Sequence, residues 1–160
     1  MRITFLVTLF LILSAPIAFP QVTENQPQVI LSADQHSGYT SPAFAFEKSC
    51  QINAKGRLIG HYFSNFQNGN WGVTSFFASS ISSEKLQKLQ SLIALAKDGP
   101  FEKTHAFCDI GLFDVYATLD ETLSYPVLHR PDCASGEINQ NPAAKEILDF
   151  VESECAISLD

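Results

Sequence analysis

The chain has 160 residues, 10 Lys+Arg against 17 Asp+Glu, a formal net charge of −7 and 46% hydrophobic residues. A scattered acidic surface favours solubility. It argues against nucleic acid or anionic lipid as partners, because both attract basic patches. The length suits one domain with a real hydrophobic core, so disulfides assist the fold and need not define it.

Residues 1–18 read as a secretory signal peptide. Arg2 precedes an apolar run from Ile3 to Leu13, followed by the small-residue stretch Ser14-Ala15-Pro16-Ile17-Ala18. The run is shorter than the ~20 residues of a spanning helix, so cleavage after Ala18 is expected and no membrane association remains afterwards. The chain is therefore expected to be exported, to the periplasm or beyond, where thiols oxidise. Residues 19–41 are polar and turn-rich and read mostly as a flexible N-terminal arm, in which Val29-Ile30-Leu31 has the composition to add an edge strand.

Residues 42–160 read as a single α+β domain. Phe44, Phe46, Lys48, Cys50 and Ile52 alternate with Ala43, Ala45, Glu47, Ser49 and Gln51, the period of a half-buried strand. Asn53-Ala54-Lys55-Gly56 is a turn, and Arg57 to Phe63 returns. Asn68-Gly69 marks a hairpin, and Trp71 to Ala78 supplies a third strand. Ser82 or Ser83 caps a helix with Leu86, Leu89, Leu92, Ile93 and Ala96 on one face, stopped by Gly99-Pro100.

Thr104 to Ile110 and Leu112 to Leu119 read as strands about Gly111, and Tyr125 to His129 as a last short strand. Arg130 to Gln140 reads as a loop. Asn141-Pro142 opens a second helix, with Ala144, Ile147, Leu148, Val151 and Cys155 on one face. The expected order is β-β-β-α-β-β-(β)-α: an antiparallel sheet with two helices on one face, stapled by disulfides.

Four cysteines allow three pairings. Cys50 and Cys108 both fall on apolar strand faces, which favours Cys50–Cys108. Cys133 in the loop and Cys155 on the helix then form Cys133–Cys155. Pairings 50–133/108–155 and 50–155/108–133 stay open, because spacing alone does not fix connectivity.

No metal or cofactor is expected. C-x-x-C, H-E-x-x-H, G-x-S-x-G and phosphate-binding glycine loops are all absent from the sequence. His105 and Asp109 would share a strand face but stand about 13 Å apart, too far to pair. His61, beside Ile59 and Phe63, reads as a partly buried structural histidine. His129 lies near Arg130 and Asp132.

The most site-like stretch is the hairpin tip, where Phe66, Asn68, Asn70 and Trp71 set amides beside aromatic rings. Such a surface suits a sugar ring or a protein partner. It equally suits a cross-strand Phe66–Trp71 pair that stabilises the hairpin. The expected function is an exported, non-enzymatic module that binds a protein or glycan; an inhibitor of an extracytoplasmic enzyme belongs to this class. The alternatives are a small secreted hydrolase using His and Asp side chains, and a structural envelope or surface component.

Overall fold

The computed structural model describes residues 27–37, 41, 44–68, 70–104, 111–130 and 135–157. These form eight strands and two helices. The strands are β1 (Val29–His36), β2 (Phe46–Asn53), β3 (Arg57–Gln67), β4 (Asn70–Ser80), β5 (Phe101–Thr104), β6 (Leu112–Thr118), β7 (Ser124–Arg130) and β8 (Gly136–Asn139). The helices are α1 (Ser83–Ala96) and α2 (Pro142–Cys155). The α+β class and the antiparallel sheet hold, with more strands than the sequence pattern indicated.

All eight strands join one sheet in the order β4-β3-β2-β1-β6-β7-β8-β5, and every neighbouring pair is antiparallel. The first four strands form a meander that runs out to the β4 edge. Helix α1 carries the chain back across the sheet to the opposite edge at β5. The two halves meet where β1 pairs with β6.

That pairing corrects the arm reading for residues 29–36. Residues 29–36 form a strand near the middle of the sheet, flanked by β2 and β6. Leu31, Ala33 and Gln35 point into the core, while Ser32, Asp34 and His36 point away. Of the polar residues that suggested an arm, Ser32 and Asp34 belong to the outward half of a period-two pattern. Residues 1–26, with the signal-peptide reading, lie outside the described residues.

A second correction concerns β8, which falls inside the stretch read as a loop. Its four residues, Gly136–Asn139, are too short and polar to show alternation. The expected strand over 104–110 begins instead at Phe101, and residues 105–110 are not described.

Both helices pack on one face. Cross-strand partners share a face, and the registers link Leu58, Ile52, Leu31, Ala117 and Tyr125 in one row. The Tyr125 hydroxyl donates to the Ile93 carbonyl of α1. Cys50, in the next row on the same face, bonds to Cys155 of α2. Leu89, Leu92 and Ile93 of α1 join Ile147 and Val151 of α2 in the core with Phe113, Val115 and Val127. Each such side chain contributes roughly 1.5–3 kcal/mol on burial. Register shifts near Ile30 and Val127 explain how Ile30-Leu31 and Val127-Leu128 are each buried in tandem.

Local chemistry fixes the helix ends. The Ser82 hydroxyl accepts from the Lys85 amide at 3.2 Å, and the Asn141 side chain accepts from the Ala143 amide at 2.9 Å. Helix α2 ends with Ala156 left-handed at φ 52. Ion pairs Lys85–Glu154 (2.5 Å) and Lys88–Glu146 (2.9 Å) cross between the helices.

The disulfide joins Cys50 to Cys155, 105 residues apart, with Cα atoms 5.7 Å apart. This replaces both Cys50–Cys108 and Cys133–Cys155. Cys50 is an inward residue of β2, and Cys155 lies on the inward face of the helix above it. Apolar strand faces favoured Cys108 as the partner of Cys50 and left Cys133 for Cys155; the core that Cys50 shares with α2 decides otherwise. Cys108 and Cys133 lie outside the described residues.

Candidate functional site

Among the described residues, no helix packs on the face of the sheet opposite α1 and α2, the open face, and the registers determine what it displays. Phe76 pairs with His61, His61 with Ser49, Ser49 with Asp34, Asp34 with Asp114, Asp114 with His129, and His129 with Glu137. Partners in register share a face, so these seven residues form one transverse row from β4 to β8. The adjacent row holds Thr74, Phe63, Glu47, His36 and Leu112.

The β1–β6–β7 part of this face is ionisable. His129 Nδ1 lies 2.5 Å from Asp114 Oδ1, with both side chains about one third exposed. The Tyr116 hydroxyl lies 3.2 Å from the same nitrogen. His36 Nδ1 stands 4.0 Å from Glu47 Oε2. Asp34 is central to the group. Burial raises its pKa above the usual 3.8; His36 lowers it, and the charges of Asp114 and Glu47 raise it further. Asp34 and Asp114 are directly opposed like charges, which costs stability unless a proton or a cationic group intervenes. Among the described residues, no group of three or more His, Cys, Asp or Glu side chains is arranged to hold a metal ion.

The β3–β4 part is aromatic. The Phe76 and His61 rings meet edge-on at 5.1 Å, and His61 stacks with Phe63 at 6.1 Å. Phe63 meets Trp71 at 5.9 Å, and Trp71 meets Phe66 at 5.0 Å. Five rings thus run continuously from the open face to the hairpin tip. Asn65 adopts φ 58 just before Phe66, which interrupts the alternation of faces and lets Trp71 reach Phe63. Phe77 points the other way, its ring over Gly60, where an added Cβ would lie 2.0 Å from it.

The structure therefore brings Phe66 and Trp71 together as a cross-strand pair and extends them into a larger aromatic surface. Asn68 and Asn70 stay at the tip, Asn70 Nδ2 donating to the Asn68 carbonyl at 3.3 Å. His61 belongs to the open-face ladder. His129 lies four strands from His61, about 19 Å at ordinary strand spacing, so the two do not converge. His105 and Asp109 are outside the described residues.

Set beside known proteins, the chain matches no family model and no curated sequence.

Sequence reasoning missed Asp34, Asp114 and Tyr116. The alternation of Leu112-Phe113-Asp114-Val115-Tyr116-Ala117 was enough to put Asp114 and Tyr116 opposite the buried Phe113 and Val115. Their neighbours on the sheet depend on β1 lying beside β6, which no local pattern specifies.

Proposed function

We propose that the chain is an exported binding module that receives a protein or glycan partner on the open face of its sheet. The carrying observation is the ladder Phe76–His61–Phe63–Trp71–Phe66, whose Phe76, His61 and Phe63 lie on the side away from the helices, with Phe76 60% exposed. Aromatic faces supply rigid contact area at low entropic cost, and the carboxylates of the adjoining strands accept hydrogen bonds from hydroxyls or cationic groups. Inhibition of an extracytoplasmic enzyme is one use of such a surface. Export rests on the sequence of residues 1–18 and accords with the Cys50–Cys155 bridge.

Trp71 is the sole tryptophan, so its fluorescence reports directly on the ladder. Titration with soluble oligosaccharides, and with a partner captured from envelope or culture fractions, should shift its emission. Trp71→Ala and Phe76→Ala should each weaken the association by more than ~2 kcal/mol, the scale of an aromatic hot spot. Reduced stability with unchanged affinity in both variants would reduce the ladder to a packing feature. A hydrolase reading retains one observation, the Asp114–His129 pair beside Tyr116. Cleavage of a captured glycan or peptide that His129→Gln abolishes would favour it.

A further inference from the structure

The two edges of the sheet are built differently. Edge strand β5 has four residues and carries Glu102 and Lys103, both exposed. Short length and charge are the ordinary means by which a sheet edge is kept from pairing with another chain. Edge strand β4 has neither protection. Its eleven residues, Asn-Trp-Gly-Val-Thr-Ser-Phe-Phe-Ala-Ser-Ser, include no charged residue and no proline. All except Trp71 are exposed, among them Val73 (44%), Phe76 (60%) and Phe77 (38%). One side of β4 is paired to β3; no strand among the described residues pairs with the other, which presents backbone N–H and C=O groups along its length.

We propose that β4 is a homodimer edge, pairing antiparallel with β4 of a second copy to continue the sheet across a two-fold axis. Charge selects a copy over a foreign strand. The chain is acidic at −7, so two copies repel wherever their charged surfaces meet, and β4 is an uncharged strip along which they meet without that cost. A charged foreign segment finds no complementary group on this strand. The sequence is also self-complementary. In a register centred on Ser75, Phe77 stands opposite the partner subunit's Val73, and Val73 opposite the partner subunit's Phe77. Phe76 then stands opposite the partner subunit's Thr74. The exposed apolar residues of the helix-side face thus cover one another, as an isologous interface requires. Phe76 stays on the open face, so pairing also sets two aromatic ladders side by side.

The test is sedimentation velocity of the purified mature protein over a wide concentration range, with amide hydrogen exchange of β4 in parallel. A dimer is expected, with those alternate amides of residues 71–79 that face away from β3 protected at high concentration and exchanging at low concentration. Ser75→Lys and Ser75→Glu each place like charges opposite across the axis and should give monomers with unchanged circular dichroism. Mixing the two variants should restore a dimer. A wild-type protein that stays monomeric throughout, with concentration-independent exchange in β4, overturns the proposal. So does a dimer that both Ser75 variants retain, or β4 protection that arises only with a different protein bound. The hydrogen-exchange arm needs no variant and decides the question even if both substitutions disrupt folding.

Discussion

Asp34 carries the clearest electrostatic tension of the open face. Burial, followed by the charges of Asp114 and Glu47, raises its pKa above 3.8, with His36 acting in the opposite sense. The folded chain keeps this proton at pH values where the unfolded chain has lost it. The contribution of Asp34 to stability is therefore greatest in acid. It declines as pH rises from about 3.8 through the raised value, and above that the full penalty applies. Asp34→Asn removes the penalty. The variant should unfold at higher urea than the wild type at pH 7, and the difference should shrink toward pH 4. An equal difference at both pH values would show that the substitution acts through packing. The same tension gives the face a preference: a cationic group placed between Asp34 and Asp114 relieves it, and an anion worsens it.

At the scale of elements, the junction between α1 and α2 depends on two asparagines. Neither helix has a basic residue in its last turn. Instead, Asn139 Nδ2 donates to the Ala96 carbonyl at 2.8 Å, and Asn141 Nδ2 to the Leu95 carbonyl at 2.9 Å. Asn139 Oδ1 also accepts from the Asn141 amide at 2.9 Å. A Cβ at Gly99 would come within 1.9 Å of Asn139 Oδ1, so this glycine permits close approach as well as ending a helix. Asn139→Ala strips a buried residue of both bonds and should cost about 1–3 kcal/mol in chemical denaturation. A loss below about 0.5 kcal/mol would mean that water replaces the amide. The caps at Ser82 and Asn141 and the β2–β3–β4 meander were legible in the sequence, because capping residues, Asn-Gly turns and alternation act over a few residues. Strand β1 was not, because Ser32, Asp34 and His36 resemble a polar tail until β2 and β6 flank them. The row from Phe76 to Glu137 was illegible for the same reason. It is assembled from seven strands whose order depends on the crossover through α1.

For the whole molecule, the halves of the sheet meet at a single ladder between β1 and β6, and the disulfide adds a second tie from β2 to α2. Closing so long a loop restricts the unfolded chain strongly. Cys50→Ser/Cys155→Ser should lose about 2–5 kcal/mol against urea, the usual range for a native disulfide. Thiol titration of the denatured, unreduced protein is expected to find no free thiol, since Cys50–Cys155 leaves Cys108 and Cys133 as the remaining pair of an even count. Two titratable thiols would refute that second bridge. The span of the Cys50–Cys155 bond also has a consequence in time. A polypeptide grows from its N-terminus, so Cys50 is made first and its partner last, with Cys108 and Cys133 appearing in between. In the exported chain proposed above, each of these reaches the oxidising compartment before Cys155 does. Oxidation in order of arrival joins the wrong sulfurs, and the correct bond then requires an early one to be exchanged by thiolate attack. Recovery of the native protein should accordingly be limited by the supply of a disulfide isomerase, and stronger oxidants should lower the yield.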